Sequence, residues 1–154
     1  MVVKDKQDIT ASGQNKIATQ RVLLKCRTGC DIHEQITRAQ ICHDLGAQLV
    51  IIETGVEDVF LQTTIQHLHA HDDPQKVGYW TSANDLEVEG RWVWDYPSDN
   101  VVLYTDWHMG EPNNNWYNTS RSEDCVVMWD HNHYGYQWND QPCDNLEFYI
   151  CKRG

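Results

Sequence analysis

Between Gly110 and Asp124 the chain carries one proline, four asparagines and no apolar periodicity. A polar run of this length inside a folded domain needs something other than a core to hold it, and a bound metal ion is one such holder. The run and the segment after it contain two short blocks, Glu111-Pro112-Asn113 and Trp138-Asn139-Asp140. Glu123-Asp124-Cys125 lies between them and Cys143 just beyond. Together the blocks offer three carboxylates (Glu111, Glu123, Asp140) and two carboxamides (Asn113, Asn139). A ligand set made only of oxygen suits hard cations, and Ca²⁺ accepts roughly six to eight oxygens in irregular geometry. Three negative charges around a doubly charged ion leave the site near −1 and the metal open to a further ligand.

At 154 residues one domain is the default, and seven Trp and seven Tyr make its core aromatic-rich. A net charge of −11 argues against nucleic acid and against anionic membranes, both of which need Lys and Arg. Acidity alone means solubility; acidity gathered at one place means cation binding. No apolar run approaches the ~20 residues that span a bilayer. The six cysteines, Cys26, Cys30, Cys42, Cys125, Cys143 and Cys151, are even in number and irregularly spaced. That favours disulfides and an oxidising compartment, without choosing the pairing. Residues 1–10 contain no apolar stretch of signal-peptide type. The cysteines outweigh this, so a secreted, extracellular protein is expected.

Residues 1–24 read as a flexible tail or neck and residues 25–154 as the domain. Val22-Leu23-Leu24 is too short an apolar run to assign. Cys26 and Cys30 bracket a tight loop whose disulfide would close a very small ring; a free or strained pair fits equally, and a zinc half-site would need a second pair. From Asp31 the period is helical: Ile32, Ile36, Ala39 and Cys42 recur every three or four residues, and Gly46 is a natural stop. Asp31 with Glu34 supplies the start. Gln48–Glu53 reads as a short buried strand. Thr54 and Glu57 form a capping box for a second helix reaching about His69, with Leu61, Ile65 and Leu68 as its apolar stripe. His67, His69 and His71 alternate, but as solvated histidines near a helix end they need no metal. Tyr79-Trp80 starts a strand, Arg91–Trp94 alternates with both indoles on one face, and Tyr96–Asn100 is a turn. Cys125–Trp129 and Phe148–Cys151 are further strands. Helices followed by antiparallel strands and loops define an α+β class.

In this order these pieces resemble the C-type lectin-like domain over about Ile36 to Lys152. The carriers are the helix with Cys42, Leu45-Gly46-Ala47-Gln48-Leu49-Val50, the Thr54/Glu57 cap with Phe60-Leu61, Glu89-Gly90-Arg91-Trp92, Glu111-Pro112-Asn113, Trp138-Asn139-Asp140 and the last four cysteines. The resemblance implies a fold of two helices packed on small antiparallel sheets with a long Ca²⁺-binding loop region. It implies disulfides Cys42–Cys151 and Cys125–Cys143, worth roughly 4–5 and about 3 kcal/mol on the chain-entropy model. It implies a cis Glu111–Pro112 bond. It implies that Glu111, Asn113, Glu123, Asn139 and Asp140 hold Ca²⁺ and bind carbohydrate through two vicinal hydroxyls. Glu-Pro-Asn goes with mannose-type sugars (mannose, fucose, N-acetylglucosamine, glucose), and Gln-Pro-Asp with galactose. Each hydroxyl gives a lone pair to the metal, a proton to a carboxylate, and accepts from an Asn NH₂. Asp85, Glu89, Glu123 and Asp124 match an auxiliary Ca²⁺ site, with Asn114 where an Asp is usual.

Two departures stand out. Asp31–Gln35 is not strand-like, so the N-terminal strand that normally pairs with the C-terminal one is expected to be absent or replaced. Trp80-Thr81-Ser82-Ala83 differs from the usual Trp-Ile-Gly-Leu. Trp138 is assigned to the core beneath the site. Trp116 and Tyr117 are placed either to stack on a sugar or to pack the loop, and His131 and His133 sit in an exposed hairpin. Asn118-Thr119-Ser120 is a glycosylation sequon. The alternative function is a lectin-like module binding protein or mineral surfaces, with Ca²⁺ only structural. A zinc hydrolase on His67, His69 and His71 lacks a placed general base and an HExxH-type pattern, so no enzyme is expected. Binding to single sugars is expected to be weak and strengthened by multivalency, through a homo-oligomer that the sequence does not specify.

Overall fold

Helix α1 spans Gln35–Asp44 and closes as the glycine predicts. Gly46 adopts φ 67°, its N–H donates to His43 O at 2.8 Å, and the Ala47 N–H donates to Cys42 O at 2.9 Å. This pair of bonds is the Schellman closure, which satisfies carbonyls the helix leaves open. The computed structural model describes residues 23–25, 35–68, 78–94, 100–130 and 133–153. The expected start at Asp31 and the Cys26/Cys30 pair lie outside them.

Strand β2 (Gln48–Leu49) is shorter than expected. The rest of Gln48–Glu53 is extended but outside the ladder, and Val50 bridges two neighbours: its N–H donates to Ile150 O and its carbonyl accepts from Ser82 N. Helix α2 spans Gly55–Leu68. Thr54 Oγ1 accepts from Glu57 N at 3.3 Å, while the Glu57 carboxylate reaches back to Glu53 N at 3.2 Å. The same carboxylate accepts from Lys152 Nζ at 2.5 Å, fastening the helix start to the C-terminal strand.

The remaining strands are β3 (Gly78–Asn84), β4 (Val93–Trp94), β5 (Asn100–Val101), β6 (Cys125–Trp129), β7 (Trp138–Gln141) and β8 (Phe148–Lys152). The sheet runs β3-β4-β5 on one side of β8, with β6 on β3 and β7 on β6. Only the β3–β8 pairing is parallel among these ladders. Strand β4 takes only the last two residues of the expected Arg91–Trp94 run. Trp92 and Trp94 both pack on the core, Trp92 4.9 Å from Trp107 and Trp94 5.9 Å from Trp138.

The N-terminal strand, expected to be absent or replaced, is present. Strand β1 (Leu23–Lys25) lies antiparallel on β8, with Leu23 opposite Cys151 and Lys25 opposite Tyr149. Three residues carry no periodicity of their own; the exposed edge of β8 selects them. The expected domain boundary between residues 24 and 25 falls inside this strand.

Two buried clusters flank the sheet. One joins Ile52, Leu61, Ile65, Tyr79, Met128, Trp138 and Ile150; the other joins Leu49, Trp80, Val127 and Tyr149 around the Cys42–Cys151 disulfide. The atypical Thr81 and Ser82 lie in the wholly buried β3, where Thr81 Oγ1 donates to Val126 O at 3.2 Å. The Arg38 guanidinium lies over the Trp80 ring, 4.3 Å from its centre. Strands β6 and β7 pair with Val126 opposite Asp140 and Met128 opposite Trp138, which sets Asp140 beside the polar loop.

Candidate metal centre

The loop that holds no apolar period is organised by carboxylates. Asp140, on β7, accepts from Asn113 N at 3.1 Å with one oxygen and from Asn114 N at 2.7 Å with the other. Glu123 accepts from Asn115 N at 2.5 Å, and its own N–H donates to Asn114 Oδ1 at 2.8 Å. Three successive asparagine amides thus wrap two buried acids. The Glu111–Pro112 bond is cis, and the Asn113 carboxamide donates to Glu111. The Cys125–Cys143 disulfide closes the base of this region.

Burial, with like charges nearby, sets the electrostatics. Burial raises the Glu111 carboxyl to about 7, and the neighbouring Asp140 and Glu123 add to the rise. Burial likewise raises Glu123 to about 7; the bond from Asn115 opposes this and the Asp140 charge reinforces it. Glu111, Asn113, Glu123 and Asp140 are therefore gathered. Asn139 is buried next to them, but its carboxamide donates to the Asp140 carbonyl at 2.8 Å, and no side-chain hydrogen bond joins it to the other four. Among the described residues no three His, Cys, Asp or Glu side chains form a ready metal clasp. Asp140 and Glu123 spend oxygens on loop amides, and the expected donor set is part carboxamide.

The auxiliary set lies alongside. Asn114 Nδ2 donates to Glu89 at 2.7 Å, Asp85 N donates to Asp124 O at 3.1 Å, and Gly90 N donates to an Asp85 oxygen at 2.8 Å. The other Asp85 oxygen is buried without a partner. Burial raises the Asp85 carboxyl to about 6, with Glu89, Asp124 and Asp140 contributing. An orphaned carboxylate oxygen among like charges is the setting a cation relieves.

Trp138 lies fully buried, as expected, and its indole N–H donates to Asp58 at 3.1 Å. Asp58 and Asn115 were not among the expected site residues. The run Asn113-Asn114-Asn115 was the available signal for the second; nothing local marked the first. His67 and His133 are exposed, while His69, His71 and His131 lie outside the described residues.

The fold and this acid-and-amide loop define a class. Residues 35–153 match the family described as the Lectin C-type domain, and the chain belongs to it. It is 37% identical over 114 residues to CD209 antigen-like protein C of Mus musculus, covering 73% of this chain and 53% of that protein. It is 35% identical over 114 residues to a perlucin-like protein of Mytilus galloprovincialis, covering 73% and 65%. The chain thus spans only about half the length of the first of these relatives. The mouse scavenger receptor C-type lectin carbohydrate-recognition domain superposes with TM-score 0.59 at 26% identity, over 75% of this chain and 80% of that one. The cow CD23 domain, crystallised in the presence of GlcNAc2Man3 oligosaccharide, gives TM-score 0.62 over 94% and 97%; at 23% identity this likeness speaks for the fold. No helix among the described residues is long and apolar enough to cross a membrane.

Proposed function

We propose that this chain is an extracellular, Ca²⁺-dependent carbohydrate-recognition domain for mannose-type glycans. The observation that carries the reading is the wrapping of the Asn113, Asn114 and Asn115 amides around the buried Asp140 and Glu123 carboxylates, with Glu111 bonded to Asn113 and the burial of Glu111 and Glu123 raising both carboxyls to about 7. Holding like charges together costs free energy that a dication offsets. Glu111, Asn113, Glu123, Asn139 and Asp140 hold the ion in this reading, and Asp85, Glu89, Asn114 and Asp124 hold an auxiliary one with Glu123. Bound calcium supplies a Lewis-acidic centre for two vicinal hydroxyls. The chain's own part is to set polarity: carboxylates accept the hydroxyl protons, and the amide groups of Asn113 and Asn139 donate. Glu before Pro112 and Asn after it place acceptor and donor in the mannose-type order. No bond is made or broken in the sugar.

The test is glycan-array binding with Ca²⁺, with EDTA, and for Glu111→Gln. Mannose-type binding abolished by EDTA and by the substitution is expected. Glycan binding indifferent to both returns the chain to a lectin-like module in which Ca²⁺ is only structural.

A further inference from the structure

We propose that the open edge of β5 is a docking groove for an extended basic peptide, which adds a strand there and sends one lysine side chain into the cleft beside it. This goes beyond the lectin reading and does not rest on it. Strand β5 ends the sheet, and among the described residues it pairs with β4 alone. Val101 lies opposite Val93, and the next residue, Val102, donates its N–H to Trp92 O at 3.0 Å. Backbone groups alternate in direction along an antiparallel strand, so those of Val101 and Leu103 turn away from β4. Leu103, just past the strand, has no backbone hydrogen bond among the described residues. Edges of this kind are normally blunted by Lys or Pro. Asn100-Val101-Val102-Leu103-Tyr104 contains neither, and Val101 and Leu103 are 49% and 93% exposed.

The cleft selects the occupant. It holds about 390 Å³, within the roughly 300–1,000 Å³ of ordinary ligand sites. Asn100, Val101 and Leu103 line it from the edge, Glu53 from the approach to α2, and Trp94 and Tyr104 supply aromatic surface. The two sides are tied together. A Cβ on Gly55, the first residue of α2, would lie 3.5 Å from the Tyr104 ring, and the Tyr104 hydroxyl donates to Asp58 at 3.1 Å. Among the described residues Glu53 is the one charge lining the cleft, and its carboxylate has no partner there. A lysine answers both features. Its methylene stem packs along the aromatic and aliphatic surface while its ammonium stays at Glu53. An acidic partner is repelled by that carboxylate and by the net charge of −11. A second copy pairing edge to edge supplies no cation, since residues 100–104 contain none. Main-chain bonds to Val101 and Leu103 give affinity in this mode, and the cleft gives specificity.

The experiment titrates the ¹⁵N-labelled chain, in Ca²⁺ buffer at physiological salt, with the acetylated and amidated peptide Thr-Val-Thr-Lys-Thr-Val-Thr. The Val101 and Leu103 amide resonances should shift and saturate; absence of shifts there overturns the groove. The peptide is then N-methylated at its odd or at its even residues. One of these two should bind at least about tenfold more weakly and the other normally, because a strand pairs through alternate residues. Equal binding of the two overturns strand addition. Glu53→Gln, and a peptide with norleucine in place of lysine, should each weaken binding about two- to fivefold, without further loss when combined. Additive losses overturn the contact between lysine and Glu53. Shifts at the same amides that grow with protein concentration alone, together with a dimer mass in sedimentation, give the edge to a second copy and overturn the peptide assignment. No glycan is present, so none of these outcomes bears on the lectin reading.

Discussion

The Trp138 indole donates its N–H to Asp58, a residue 80 positions earlier in the chain. Both side chains are fully buried. The other Asp58 oxygen accepts from the Tyr104 hydroxyl and from Gln62 Nε2, each at 3.1 Å. Trp138 immediately precedes Asn139 and Asp140, so one hydrogen bond connects α2 to the strand carrying two proposed ligands.

Trp138→Phe removes volume from the core and strips Asp58 of a donor. The expected loss is about 2–4 kcal/mol in urea unfolding. A loss under about 1 kcal/mol would mean that Asp58 finds another partner at no cost.

Asp58 also sets a pH dependence. Burial raises its carboxyl from 3.8 to about 6, the bonds from Trp138 and Tyr104 oppose the rise, and the Asp106 charge adds to it. Between those values the folded form binds more protons than the unfolded one, so stability falls as pH rises through the window. The slope sums to about 2–3 kcal/mol for this group. Denaturation of the EDTA-treated protein from pH 4 to pH 7, compared with Asp58→Asn, should show that component vanish in the variant.

The Cys42–Cys151 disulfide joins residues 109 apart and ties α1 to β8. Paired replacement by Ala should cost roughly 4–5 kcal/mol. Replacing Cys125 and Cys143, 18 apart, should cost about 3 kcal/mol and loosen chiefly the loop region. Thermal melts of the two double variants check the ranking.

Both Asp140 oxygens receive loop amides, so Asp140→Asn turns an NH₂ group toward an N–H donor. Hydrogen exchange at Asn113 and Asn114 should speed by about tenfold or more, corresponding to roughly 1.5–3 kcal/mol for a charged acceptor. Unchanged protection there would detach the loop's order from Asp140.

In the proposed site calcium would displace protons from Glu111 and Glu123, whose carboxyls burial raises to about 7. Binding should therefore weaken as pH falls below about 7, by about tenfold per pH unit for each proton displaced. Calorimetry in buffers of different ionisation enthalpy counts those protons; a count of zero contradicts the proposed ligand set.

Much of the fold could be read along the chain because its signals are local. The Thr54/Glu57 cap and the Gly46 stop each act within a few residues, and both form, although the Glu57 carboxylate returns to Glu53 N, one residue before the Thr54 cap. The family resemblance was legible through the order of short blocks, and the two disulfides followed from that resemblance, since the cysteine spacing does not choose a pairing. Strand β1 was not, because Leu23–Lys25 has no pattern until β8 offers its edge. Nor was the shortness of β2 and β4, which depends on where neighbouring strands stop offering partners.

For the site, the sequence alone determined which residues carry oxygen donors and that they recur in one polar stretch, since side-chain chemistry belongs to each residue. Only the tertiary structure decided which oxygens are spent on the Asn113–Asn115 amides, that Asn139 bonds its own strand, and that Asp58 underpins Trp138. Those outcomes depend on distances between segments far apart in the chain, and such distances arise from packing and not from composition.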